Sequence, residues 1–207
     1  MRLNVASDIK VRTYWILNYC KGKSVLDIGC VGEKYPPTSP KSLHRMISKV
    51  STFCIGIDTN REGIELMKKL GYNVIIADAE NFKLPYKFDR IVASEVIEHL
   101  SNPGLFLDCV KEHLKPSGLL ILTTPNARSL RHFLLNWSDS FDHKLLFNLQ
   151  TLVQLLLFKG FKIVEVQYLL YDDPNSYPFL SRLYMKTFLK IFPMFANTLG
   201  VVATPRV

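Results

Sequence analysis

Five short apolar runs recur along the chain: SVLDIGC (24–30), TFCIGID (52–58), NVIIADA (73–79), DRIVASEV (89–96) and GLLILTT (118–124). All are rich in Ile, Val and Leu, the pattern of strands buried on both faces. The stretches between them carry helical spacing. Arg61–Leu70 places Ile64, Met67 and Leu70 on one side, and Pro103–Leu114 does the same with Phe106, Leu107, Val110 and Leu114. Gly71 and Gly118 read as helix stops. Ser7–Cys20 reads as a helix capped by Ser7, and Ser39-Pro40 as the N-cap and first residue of a helix delayed by KYPPTSP. Strand alternating with helix predicts a parallel sheet with right-handed crossovers.

The pattern changes after residue 160. FKIVEVQYL (161–169) and TLGVVATP (198–205) predict two further strands, and Phe179–Phe192 between them an amphipathic helix. Leu152–Phe158 is apolar enough for an inner helix. A chain of 207 residues fits one domain. Its expected parts are an N-terminal helix (1–22), a core (23–170) and a terminal helix with the last strand (171–207). There is no internal repeat and no low-complexity linker.

Composition adds three points. Hydrophobic residues are 48% and charged residues 21%, which excludes a disordered chain. No apolar run reaches membrane-spanning length, and MRLNVASDIK lacks a signal-peptide core, so a cytoplasmic protein is expected. Cys20, Cys30, Cys54 and Cys109 show no C-x-x-C spacing and read as reduced thiols.

The net charge of +8 sits at the two ends: +4 in residues 1–24, zero in 25–176 and +4 in 177–207. In the C-terminal segment Arg182, Lys186 and Lys190 recur every four residues among Phe, Leu and Tyr. Such a helix can be a solvated rim packed on the domain. It can equally lie on an anionic bilayer, giving weak peripheral contact with the inner face of a membrane.

The candidate chemistry lies at strand ends. The first strand closes on Asp27, Gly29, Cys30 and Gly32, the second on Asp58-Thr59, the third on Asp78-Ala79. Glycine there lets backbone meet a ligand, and ligands of open α/β sheets bind at that edge. A carboxylate after the second strand can accept two ribose hydroxyls, and one after the third can reach an adenine amine. No Walker loop or full G-x-G-x-x-G occurs, so the pattern points to adenosine rather than phosphate.

With these residues in place, the chain resembles the class I S-adenosylmethionine-dependent methyltransferases. VLDIGC matches their first motif, GIDTN the ribose-binding acidic motif, ADAE the adenine-proximal motif, FDRIVASEVIEHL the fourth motif and LKPSGLLILTTPN the fifth strand. The EVIEHL and TTPN variants resemble the small-molecule branch, which includes ubiquinone O-methyltransferase-like enzymes. The resemblance implies a Rossmann-like, doubly wound, seven-stranded, mostly parallel sheet of order 3-2-1-4-5-7-6 with the last strand antiparallel. It also implies S-adenosyl-L-methionine as cofactor, with Ser94 and Glu95 joining the binding residues named above. The acceptor it implies is a small molecule, sugar or lipid-linked glycan. A nucleic-acid or protein substrate, suggested by the basic ends, is disfavoured because SEVIEH stands where the nucleic-acid N-methylating branch carries [DN]PP[YF]. A non-catalytic relative is the third reading, because Val31 and Glu33 replace two glycines of the family's D-x-G-x-G-x-G and Val31 is expected to crowd the methionine moiety.

His99 and His143 are the expected catalytic residues, each able to take a proton from a hydroxyl acceptor. On a helix starting near Glu95, the residues Glu95, Glu98 and His99 share one face. Matching residues hold a metal in some quinone O-methyltransferases, but E-x-x-E-H also resembles relatives that need none, so no metal is assigned. By the resemblance His132 lies in the segment that closes over the acceptor; Phe133, Trp137 and Phe141 can line an apolar acceptor pocket there or pack as core, and aromatics at such spacing are more often core.

Overall fold

The computed structural model describes residues 10–32, 34–130, 142–171, 183 and 187–206. The strands are β1 (Lys10–Val11), β2 (Ser24–Ile28), β3 (Phe53–Asp58), β4 (Val74–Ile76), β5 (Phe88–Ser94), β6 (Leu114–Pro125), β7 (Phe161–Leu170) and β8 (Thr198–Pro205). The helices are α1 (Arg12–Cys20), α2 (Leu43–Val50), α3 (Arg61–Lys69), α4 (Pro103–His113) and α5 (Leu149–Phe158).

All eight strands join one sheet in the order β1-β7-β8-β6-β5-β2-β3-β4. β8 runs antiparallel to β6 and β7, and every other pairing is parallel. With β1 set aside, this is the expected seven-strand order. The eighth strand corrects that expectation. Lys10 pairs with Leu169 and Val11 with Leu170, so the chain enters as a strand and α1 starts only at Arg12. Ser7, the expected cap, lies outside the described residues.

Alternation along each strand builds a layer on both faces. Val25, Val92, Ile121 and Val202 pack with Trp15, Ile16 and Cys20 of α1 and Ile47 of α2. Their neighbours Leu26, Ile91, Leu120 and Val201 pack on the other face with Phe106, Leu107 and Val110 of α4 and Leu152 and Leu156 of α5. Helix starts follow local chemistry. Asn60 Oδ1 accepts from Gly63 N–H at 2.9 Å, Asn102 Oδ1 from Leu105 N–H at 3.1 Å, and Asn148 forms a capping box with Thr151.

Other expectations change. Gly71 ends α3 with φ +84°, as expected, but Gly118 lies inside β6 because α4 already stops at His113. Ser39-Pro40 does not open α2. Ser39 N–H donates to Pro36 O and Ser42 N–H to Ser39 O, so two successive turns precede a helix that starts after Ser42, whose side chain makes no capping bond. Leu152 and Leu156 are inner residues of α5, but Phe158 is 88% exposed. Of Phe179–Phe192, Leu183 and residues 187–191 are described and helical, with Leu189 buried against Leu170 and Ala196. The four cysteines are free. Burial pushes the Cys20 and Cys54 thiols up to about 12, which keeps them unreactive.

Candidate active site

A cavity of about 880 Å³ opens at the C-terminal ends of the parallel strands. It lies near the upper end of the range for small-molecule sites. Asp27, Gly29, Cys30, Gly32, Asp58, Thr59, Asp78, Ala79, Ser94, Glu95, His99 and His143 all line it. His132, Phe133, Trp137 and Phe141 lie outside the described residues.

The floor is the turn after β2. Gly29 has φ +75° and Gly32 φ +64°, conformations that favour glycine. A Cβ on Gly29 would stand 2.7 Å from Val96 Cγ2. Val31 also lines the cavity, though most of its side chain is turned away. Its side chain is 7% exposed and packs over Gly63 of α3, where an added Cβ would meet Val31 Cγ1 at 2.3 Å. The valine fills core beside Ile64, Met67 and Val74, so its side chain is held by packing on α3 and β4.

The three aspartates differ. Asp58 Oδ2 accepts from Val31 N–H at 3.0 Å and Oδ1 from Asn60 N–H at 2.9 Å. Each oxygen has two lone pairs, so one remains on each for a pair of hydroxyls. Asp78 Oδ1 accepts from Glu80 N–H at 2.9 Å. Neither residue caps a helix, since Asn60 caps α3. Asp27 is buried, and its Oδ2 lies 2.9 Å from Nδ1 of the equally buried His44. Burial raises the Asp27 carboxyl above its usual range, against the lowering effect of His44. Asp27 therefore ties β2 to α2 beneath the cavity.

Beyond β5 the chain departs from the expected helix. Glu95 stands at φ +57° and only Ile97–His99 forms a single 3₁₀ turn, so Glu95, Glu98 and His99 do not share a helix face. Glu95 turns toward Arg12 at 3.5 Å and accepts from Thr123 Oγ1 at 2.9 Å. That hydroxyl proton is then committed, so Ser94 Oγ donates to Thr123 Oγ1 at 3.0 Å.

Glu98 and His99 turn instead toward His143. The Glu98 carbonyl accepts from Lys144 N–H at 2.8 Å and Leu145 N–H at 3.1 Å, which straps the 142–147 segment over this turn. The His99 and His143 rings meet edge to face at 4.9 Å. One ligand atom from each of Glu98, His99 and His143 lies within 4.8 Å of the others. Glu98 is 1% exposed; its Oε2 accepts from Thr124 Oγ1, and its Oε1 is buried with no hydrogen-bond partner. Burial, reinforced by Glu95, pushes the Glu98 carboxyl up to about 8.

Several lining residues escape motif reading. Arg12 enters because Val11 pairs with Leu170, which sets Arg12 beside Tyr171, its guanidinium 3.8 Å from the ring centre. Lys34, Tyr35 and Lys41 enter from the turns before α2. His44 does not line the cavity and carries no motif; its pairing with the lining residue Asp27 is what ties it to the site.

A family model described as Methyltransferase domain matches residues 16–166. The ubiquinone biosynthesis O-methyltransferase of rat mitochondria is 31% identical over 124 residues, 55% of this chain and 34% of that protein. The chain thus spans about a third of that relative's length. A SAM dependent methyltransferase from Archaeoglobus fulgidus superposes with TM-score 0.68 at 22% identity, covering 93% of this chain and 91% of that one. The [4+2]-cyclase SpnF superposes with TM-score 0.64 at 15% identity, covering 94% of this chain and 80% of that one. The fold is therefore shared with proteins named for different chemistry.

Proposed function

The chain belongs to the S-adenosylmethionine-dependent methyltransferases of class I, and we propose that it transfers a methyl group from that cofactor to an oxygen of a small-molecule, sugar or lipid-linked acceptor. The observation that carries this reading is one cavity holding both the strand-end set Gly29, Asp58 and Asp78 and the His99–His143 pair. The residues fit the cofactor. Gly29 and Gly32 place no side chain at two positions of the floor, and Asp58 and Asp78 retain lone pairs for hydroxyl and amine donors.

The bound cofactor supplies a methyl group already activated on a sulfonium, so no covalent enzyme intermediate is needed. Asp58 and Asp78 fix the adenosine half, and the turn at Gly29–Gly32 together with Ser94 orients the reacting end. Positioning of this kind contributes several kcal/mol. His143 or His99 takes the acceptor hydroxyl proton, and strapping by the Glu98 carbonyl keeps His143 in place. Glutamine at His143 or His99 is expected to lower kcat by roughly 10²-fold or more with cofactor affinity kept. Tritiated-methyl transfer over sugars, quinols and lipid extracts, read beside calorimetry, tests this. Wild-type protein that binds no cofactor at millimolar concentration would overturn it.

A second reading adds a divalent cation at Glu98, His99 and His143. It is favoured by the convergence of their ligand atoms and by the unpartnered Glu98 Oε1. Such an ion would polarise the acceptor oxygen. Activity unchanged by exhaustive chelation would rule against it.

Peripheral membrane contact also belongs to this proposal. Ile191 is 72% exposed beside exposed Lys190, Phe192 and Met194. No helix among the described residues is long and apolar enough to cross a membrane. Salt-sensitive co-sedimentation with anionic but not neutral vesicles is the expected result.

A further inference from the structure

His44 is buried and titratable, and it lies just behind the cavity. It is the second residue of α2, and its ring is held on three sides. The Tyr72 ring meets it edge to face at 5.3 Å, and Asp27 Oδ2 lies 2.9 Å from its Nδ1. On the third side Gly56 of β3 approaches so closely that an added Cβ would stand 2.8 Å from His44 Cε1. Packing this close fixes the orientation of the ring.

The side chain of His44 is 1% accessible and that of Asp27 3%. What remains accessible of Asp27 opens on the cavity that it lines. A carboxylate accepts and does not donate, so in the ionised pair His44 Nδ1 carries the hydrogen. This bond engages Oδ2, and no hydrogen bond from the described residues reaches Oδ1. A tie between β2 and α2 accounts for the first oxygen. It does not account for the second, because a buried acceptor without a donor is costly. Burial pushes the Asp27 carboxyl up, and a cation against Oδ1 offsets that penalty.

In the proposed function the ribose hydroxyls and the adenine amine go to Asp58 and Asp78. The sulfonium has no hydrogen to donate. The cofactor's remaining donor is the ammonium of its amino-acid end, and Asp27 stands at the close of β2 beside the Gly29–Gly32 turn. Resting on the methyltransferase reading, we infer that His44 is a positioning residue for the cofactor: it holds Asp27 by one oxygen and presents the other to that ammonium. Asp27 touches the ligand, and His44 acts through it.

Calorimetry with two ligands isolates the amino-acid end. S-adenosylhomocysteine carries it, whereas 5′-methylthioadenosine keeps the adenosine and the sulfur without it. Wild-type protein is expected to prefer S-adenosylhomocysteine roughly tenfold or more. His44→Leu removes the donor at similar volume and should cut that preference roughly tenfold, with 5′-methylthioadenosine affinity kept within about twofold. Asparagine sets an amide donor where Nδ1 stood, so His44→Asn should recover most of the preference. Asp27→Asn keeps the shape without the charge and should lose it. Where His44→Leu fails to fold, His44→Gln, with its amide at the Nε2 position, is expected to lose the preference in its place. A merely structural His44 would lower the melting temperature, read alongside, and move both affinities together. That result, a wild-type protein without preference, or an Asp27→Asn variant that keeps it would each overturn the inference. Wild-type protein that binds neither ligand is a different result: it overturns the methyltransferase reading itself.

Discussion

Single residues divide into those that hold the site and those that face a ligand. Asp58 faces one. Replacing it with alanine removes the lone pairs aimed at two hydroxyls and should weaken cofactor binding by about 1.5–3 kcal/mol, read by calorimetry. Val31 holds. Trimming it to glycine removes a buried side chain and adds backbone freedom, so Val31→Gly should cost about 2–4 kcal/mol of stability in urea unfolding. Glu98 does both, and its titration is measurable. The unfolded carboxyl releases its proton near 4.5, whereas the folded one keeps it to about 8. Across that window the folded state binds the extra proton, so stability falls as pH rises. Glu98→Gln should flatten the unfolding midpoint between those limits.

At the scale of elements, the sequence was legible where periodicity is local and strong. β3 and β8 sit on TFCIGID and TLGVVATP, and α3 and α4 start at Arg61 and Pro103 as their spacing demands. Motif-bearing strand ends all reached the cavity. What stayed hidden depends on contacts between distant segments. Two residues, Lys10 and Val11, form β1 only because Leu169 and Leu170 offer an edge. Helical spacing in Glu95–His99 was overridden by the Glu95 contacts with Arg12 and Thr123. Asn126 shows the same principle inside a recognised motif. Its Nδ2 donates to the carbonyls of Met194 and Ala196, both at 2.8 Å, and so fixes the 3₁₀ turn Pro193–Phe195 ahead of β8. Asn126→Ala strands two carbonyls and should destabilise by about 1–3 kcal/mol, with the change in urea midpoint as its measure.

For the whole molecule, the sheet joins regions far apart in sequence into one cavity. The side proposed for adenosine comes from β2, β3 and β4 with the turns that follow them, all within residues 24–80. Its other side carries Arg12, which follows β1; among the described strands β1 rests on β7, and β7 reaches the rest of the sheet through β8. Trp15 and Tyr19 of α1 also donate to Glu165 of β7, at 2.9 and 2.6 Å. This arrangement sets an order of events on the ribosome. The segment carrying Arg12 is made early, yet its partner strand joins the sheet only once residues 198–205 have emerged. Nascent chains are therefore expected to complete the β2–β3–β4 side of the cavity first and the side that carries Arg12 last.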